Sequence, residues 1–591
     1  MSQLEPLGYE YLIRTLSLPV RPLHRPSFIS GSVNRRVPAH NGLWFPRGVA
    51  LESSLVGHLE FALRHEGVNL EVIDAAFEHI LPEELVRRLS ESPNGASIRR
   101  ACFLWEWITG NSLPITSTPA GPYVEVLPSD QYFTSSNPTN NQKFRVKDNL
   151  LGTADFCPIV RHAAVPASPT LDELFTEATQ MLERLTDPML YARAVSYLYL
   201  SETRSSFDIE REKPSADRQE RFVQALRHAS ETAIVTQEWL VELQNAIVRN
   251  VFSQEASYRT KQNWLEDGTR RITFFPPPPD ELWRVMAAWE RLVNDVDGRC
   301  TNTLVKAACA AFGFVYLHPF LDGNGRIHRF LIHHVLNSIR RLPGGAIIPI
   351  SAVILRREAD YLDVLKGFSG PTTRLWDYLV GDTEPIVTRS PGSRPYRFFD
   401  ASKEVHFLHS MMVEAVRTEL PKELAWLSGF DEARKRLDAE FDLPQSDLSA
   451  LIRMVKFNNG KLSTTKRKQY YYLPDDVIAH IEEVVREAFP DSQQIITRTR
   501  SLQIQLHLAL AFEAGYLTGE KPVSATLVES VLSRQLDDLE SALTRHGYRI
   551  KDVVEQFDAK PAEIKALFSN SLEPMRAATL RDKMLAAGLP I

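Results

Sequence analysis

His318-Pro319-Phe320-Leu321-Asp322-Gly323-Asn324-Gly325-Arg326-Ile327-His328-Arg329 is the stretch on which the reading of this 591-residue chain turns. Before it, Leu304, Ala307, Ala308, Ala311 and Val315 share one helical face; after it, Ile327, Phe330, Leu331, His334 and Val335 do the same. Pro319 ends the first helix, and two glycines permit a tight loop. The spacing therefore predicts helix, compact loop, helix. The second helix opens on unpaired N–H groups and the positive end of its dipole, which together make an anion site. Arg326 and Arg329, three apart, add two guanidinium forks suited to a polyphosphate. Asp322 is a hard oxygen ligand at the mouth of that site and suits Mg²⁺. His318 can take a proton near neutral pH. A base, a metal ligand and a phosphate cradle point to transfer of a phosphorus group to a hydroxyl.

Composition sets wide bounds on the remainder. Apolar residues make up 43% and charged residues 24%, which excludes wholesale disorder and a collagen-like or coiled-coil rod. At about 150 residues per domain, the length predicts roughly four domains. The net charge of −6 gives no whole-chain pull toward nucleic acid or anionic lipid. Cys102, Cys157, Cys300 and Cys309 contain no C-x-x-C, so neither a zinc ribbon nor a disulfide framework is expected. No run of about 18 apolar residues predicts a membrane span. Met1 to Ser17 lacks the apolar core of a signal peptide. A reduced, cytoplasmic location is the expectation.

Sparse glycine and long stretches of helical period predict a mainly α protein. Residues 1–170 read as a mixed helical N-terminal domain, with helices at 51–63 and 98–109 and a loop-rich region over 111–149. Residues 171–385 read as one helical block. Thr170 caps a helix over 171–185, with Glu173 at its third position. Ile234, Leu240, Leu243 and Ile247 sit at helical spacing in 234–248. A short polar hairpin-like piece then runs into Pro276 to Pro279, an extended spacer before a new helix from Asp280. Residues 384–395 read as a linker, so that 386–490 is a linker plus a further unit and 491–591 a C-terminal helical module.

The twelve-residue stretch resembles the Fic family motif, HPFx(D/E)GNGRxxR, at every fixed position. The family is known for AMPylation, the transfer of AMP from ATP to a Ser, Thr or Tyr hydroxyl of a target protein. The resemblance implies a helical Fic core with a β-hairpin flap, ATP as substrate and Mg²⁺ as cofactor. It implies His318 as the base and Asp322 as the Mg²⁺ ligand. Gly323, Asn324, Gly325, Arg326 and Arg329 would be phosphate binders, with attack at the α-phosphorus and pyrophosphate leaving. The family's flap, which docks an extended target segment by strand-like pairing, falls on 258–275. Tyr361, with Leu365, falls where the family lines its adenine pocket. Ser206-Phe207-Asp208-Ile209-Glu210 resembles the family's inhibitory motif, (S/T)xxxE followed by Gly or Asn, although position 211 is Arg. Glu210 would then fork onto Arg329 in place of γ-phosphate oxygens, so that ATP binds unproductively.

Residues 445–485 read as helix, polar turn (Asn458-Asn459-Gly460), basic run (Lys466 to Lys468), aromatic run (Tyr470 to Tyr472) and helix. This is similar to the winged-helix modules often fused to Fic cores. The basic run suits a DNA contact; docking to another protein, or to a second copy as a homodimer, is the other reading. His318, His328, His333 and His334 lack a zinc spacing. The run 515–521 lacks the spacing of a phosphate loop. Two functions follow. One is a protein adenylyltransferase autoinhibited by Glu210. The other is a non-catalytic, nucleotide-sensing regulator that binds DNA or protein through its C-terminal modules.

Overall fold

The computed structural model describes residues 4–489, apart from 50, 52, 53, 116, 213, 229–233, 249–253, 340, 341, 382 and 383. The expected 491–591 module and the 515–521 run lie outside the described residues. The chain divides into two compact units, 1–427 and 428 onward. No helix among the described residues is long and apolar enough to cross a membrane.

The first unit opens with β1 (Glu5–Leu7), α1 (Tyr9–Leu16), β2 (Ser27–Ile29), β3 (Val37–Ala39) and β4 (Gly42–Phe45). The strands form a sheet in the order β1-β2-β4-β3, with β2 and β4 parallel. Helices α2 (Leu55–His65), α3 (Leu70–Phe77), α4 (Pro82–Glu91) and α5 (Ala96–Thr109) follow. They share a core that includes Leu12, Leu59, Ile73, Leu85 and Leu104. Helix α2 starts four residues later than the apolar pattern suggests because Ser54 supplies its cap, accepting the Gly57 N–H. The loop-rich region contains a three-stranded sheet of β5 (Val124–Glu125), β6 (Thr139–Asn141) and β7 (Val146–Asp148), in the order β5-β7-β6.

Helix α6 (Leu171–Glu183) begins at the expected capping box: Thr170 accepts the Glu173 N–H while Glu173 accepts the Thr170 N–H. Next come α7 (Pro188–Ile209), α8 (Ala216–His228) and α9 (Gln237–Ile247). The hairpin of β8 (Leu265–Glu266) and β9 (Ile272–Phe274) is antiparallel and lies within the expected flap. The prolines lead into α10 (Pro279–Val293), with Pro279 at the first helical position. Helices α11 (Thr303–Leu317) and α12 (Asn324–Ile339) flank the motif loop. The sequence pattern gives α11 one apolar face, yet the helix is buried almost all round, packed by α10, α12 and α16 (Ser402–Glu414). Its small residues allow that approach. A Cβ at Gly313 would lie 2.7 Å from the Phe156 ring. Then come α13 (Ile350–Arg356), α14 (Glu358–Thr373) and the hairpin of β10 (Asp377–Leu379) and β11 (Ile386–Arg389).

Residues 384–395 are not a tether. They hold β11 and the start of a short helix, α15 (Arg394–Arg397). Ser393 donates its N–H to Glu281 at 2.9 Å, and Arg394 pairs with Asp74 at 2.8 Å. Segment 157–161 then zips onto 397–401: the Cys157 N–H donates to the Arg397 carbonyl, Ile159 to Phe399 and Ala401 to Ile159. Helix α16 buries Val405, Leu408, Met411 and Met412 in the same core as Leu151, Phe156 and α11. The boundaries expected near 170 and 385 therefore fall inside one unit. Pro and Gly punctuate a turn here, and the apolar Tyr396, Phe398 and Phe399 that follow are buried.

A π-helical turn at 415–419 leads to α17 (Leu420–Glu440), within which the units divide. The second unit holds α18 (Gln445–Phe457), α19 (Thr464–Arg467) and α20 (Asp475–Ala488); α18 buries Leu448, Leu451 and Ile452, and α20 buries Ile481 and Val485. No strand occurs among its described residues, so the expected wing is absent from 445–485. Arg467 of the basic run is turned inward, donating to the Leu473 carbonyl at 2.6 Å and pairing with Asp475 at 2.7 Å.

Met411→Ala tests whether α16 belongs to the core. It should cost about 2–4 kcal/mol, read as a lowered urea midpoint. A segment hung on a linker would show almost no change.

Candidate active site

Helix α11 ends where His318 turns left-handed, with φ 48° and ψ 58°, an uncommon conformation for a residue with a Cβ. The motif loop then turns through Gly323, φ +89°, and α12 starts at Asn324. Only Gly adopts the Gly323 conformation without strain. The loop is braced from within. Asn324 donates its side-chain amide to the Phe320 carbonyl at 2.7 Å and accepts the Phe320 N–H at 3.1 Å. Asn324 is 2% exposed, and its side chain braces the loop.

His318 is buried, and its Nδ1 lies 3.3 Å from the Val315 carbonyl. That contact favours a proton on Nδ1 and leaves Nε2 as the acceptor. Burial lowers its pKa to about 4 from the ordinary 6.5, with Arg259 adding to the shift and Val315 and Glu210 opposing it. The imidazole is neutral at pH 7, the state a proton acceptor needs.

Arg259 was not found from the sequence. Its guanidinium, 4% exposed, donates to three carbonyls: His318 at 2.9 Å, Lys261 at 3.1 Å and Pro277 at 2.5 Å. Its own N–H donates to the Pro319 carbonyl at 2.8 Å. The Pro276 to Pro279 run has no N–H groups with which to build a helix or ladder of its own, so its carbonyls are open to side-chain donors; Gln262 takes that of Pro276. Arg259 thus ties the base of the hairpin to the backbone of His318.

The anion site is already filled by a carboxylate of the same chain. Arg329, 1% exposed, donates from Nε to the Ser206 hydroxyl and from Nη2 to the Ser206 carbonyl and to Glu210, each at 2.8 Å. A Cβ built on Gly325 would stand 2.2 Å from Glu210 Oε1. The carboxylate therefore rests on the bare first turn of α12, where the helix dipole favours negative charge. Burial pushes the Glu210 pKa up, but Arg329, with Arg326 and His328 behind it, outweighs this and holds it below the ordinary value. Arg211 follows in the left-handed region, φ +55°. That backbone explains the Gly or Asn of the resembled motif, since both enter this region most readily. Arg211 adopts it while exposed, 3.8 Å from Glu358.

Asp322 is 43% exposed and pairs with Arg326 at 3.0 Å. Among the described residues no group of three His, Cys, Asp or Glu could hold a metal ion. One accessible carboxylate fits a Mg²⁺ that takes most of its oxygens from phosphates and water, and does not fit an all-protein cage. Tyr361 is buried, its ring 5.8 Å from His328 and 5.9 Å from Phe407. Burial raises its hydroxyl pKa to about 12, with Arg329 opposing. It thus stands beside the Arg329–Glu210 pair and packs as core.

His318 and His328 are both buried with pKa values of about 4. The folded chain leaves these rings neutral below pH 6.5, whereas the unfolded chain protonates them. Stability should fall as pH drops from about 6.5 to about 4. In a proton NMR titration the His318 ring signals should stay flat from pH 8 to 5; a midpoint near 6.5 would contradict the buried geometry.

A family model described as Fic/DOC family matches residues 234–336. That span holds α9, the hairpin, the proline run and the motif loop, and leaves out Glu210 and Tyr361. A protein adenylyltransferase Fic of Nematostella vectensis is 29% identical over 119 residues, 19% of this chain and 26% of that protein. A protein of the same name from Drosophila melanogaster is 38% identical over 61 residues, 10% of this chain and 12% of that protein. The chain thus spans about a quarter or less of the length of these curated relatives. A solved Fic family protein from Desulfovibrio desulfuricans G20 is 17% identical, with a TM-score of 0.31, over 56% of this chain and 90% of that one. Residues 234–336 thus match the Fic/DOC family, and the complete motif at 318–329 lies inside the matched span.

Proposed function

We propose that the chain is a protein adenylyltransferase held in an inhibited state by Glu210. The observation that carries this is the Glu210 carboxylate lying on Gly325 and Arg329. A site that accepts an internal anion in this way is built for anionic oxygens. In the proposed reaction His318 Nε2 takes the proton of a Ser, Thr or Tyr hydroxyl. That oxygen bonds to the α-phosphorus of ATP as the bond between the α-phosphorus and the bridging oxygen breaks. AMP is left on the target and pyrophosphate departs. Arg329 and the first-turn amides of α12 hold the phosphates in line. Asp322 would hold Mg²⁺, which supplies charge neutralisation on the phosphates. The β8–β9 hairpin would pair with an extended target segment beside His318.

While Glu210 holds Arg329, a triphosphate loses that fork and meets a like charge, so bound ATP lies out of line. With labelled ATP and Mg²⁺, Glu210→Gly should raise protein labelling at least tenfold over the parent chain. Adding His318→Ala should remove it. Labelling that persists without His318 would overturn the base assignment, and ATP binding without any labelling would favour the nucleotide-sensing regulator.

A further inference from the structure

We infer that this chain carries a second lock, in which Glu212 holds Arg326 as Glu210 holds Arg329; the inference rests on the nucleotide reading of the site. In an uninterrupted helix, positions two apart differ by about 200° and face opposite ways. Here α7 stops, and the left-handed Arg211 turns the chain back. The Glu212 N–H then donates to the Phe207 carbonyl at 3.1 Å. As a result both carboxylates face α12, whose Arg326 and Arg329 lie on one side of it.

The second contact is built as thoroughly as the first. Glu212 Oε2 accepts from Arg326 Nη1 at 3.0 Å and from Arg218 Nη2 at 2.9 Å. The same two nitrogens share the Ile247 carbonyl, each at 3.0 Å. The Phe207 ring is near both guanidiniums, 5.4 Å from Arg326 and 5.1 Å from Arg218, a placement that favours both cations. Arg326 and Arg218 side chains are 3% and 5% exposed, whereas Glu212 is 27% exposed. Arg326 Nη2 is taken by Asp322 at 3.0 Å. Both terminal nitrogens of Arg326 are therefore engaged, one of them by the residue that would hold Mg²⁺. Release of Glu210 alone leaves this set intact, and a polyphosphate would still meet an occupied Arg326.

Glu212→Gln keeps the shape of a partly exposed side chain and removes the charge, so the fold is retained. Calorimetry with ATP and Mg²⁺ compares Glu210→Gly with Glu210→Gly/Glu212→Gln. The double variant should bind ATP about tenfold more tightly, the scale of one charge-assisted hydrogen bond. For adenosine, which has no phosphate, the two should bind alike. Equal ATP affinities would overturn the second lock and leave the nucleotide reading standing, and an equal gain for adenosine would do the same. Failure of either variant to bind ATP would overturn the nucleotide reading, and the lock with it.

Discussion

The buried guanidinium of Arg329 is the constraint from which the arrangement around the site follows. An arginine cannot shed its charge by losing a proton, and at 1% exposure it must find acceptors inside the protein. Helix α7 supplies them in a stripe of residues four apart. Glu202 contacts His333 at 2.7 Å, while Ser206 and Glu210 take Arg329. On α12, Arg329 and His333 are also four apart, so two helical stripes meet face to face. The Ser351 N–H donates to Glu202 at 2.9 Å and adds α13 to the same set. The end of α7 that lies over the motif loop is therefore part of the core.

A second constraint acts on the opposite edge of the loop. His318 occupies a conformation that costs a non-glycine residue about 1–2 kcal/mol. Three carbonyls gathered by Arg259 hold the surrounding backbone. The imidazole is oriented by the Val315 carbonyl, not by a carboxylate, and a carboxylate partner would favour the charged ring. The neutral state and the strained backbone are thus two results of one packing arrangement.

Local chemistry was the legible part. The capping box at Thr170, the helices either side of the motif loop, the hairpin and the Glu210 contact could be read because each depends on neighbours in sequence or on a recurring motif. What escaped was distant in the chain. Arg259 meets His318 across 59 positions and Glu212 meets Arg326 across 114, and no periodicity signals either pairing. Composition misled at 384–395, where residues typical of linkers form a hairpin strand and an anchored turn. It misled again at 445–485, where a polar turn between helices does not bring strands with it. Asn324 shows a subtler limit: the motif marks the residue, while the brace its amide gives the loop is visible only in the structure.

The length of α7 bears on how such a site could open. The helix has 22 residues, roughly 33 Å at 1.5 Å per residue. Tyr191 and Tyr199 donate to the carbonyls of Pro343 and Gly345, and Glu202 is pinned near the middle of the buried set. Swinging the whole rod outward would strip all of these at once and strand a carboxylate that is 1% exposed. Unwinding of only its last turn, beyond Ser206, leaves them untouched. The route that spares these contacts therefore runs through one tip, where fully buried Phe207 would move together with Glu210 and Glu212, with the remainder of the rod serving as a fixed rail.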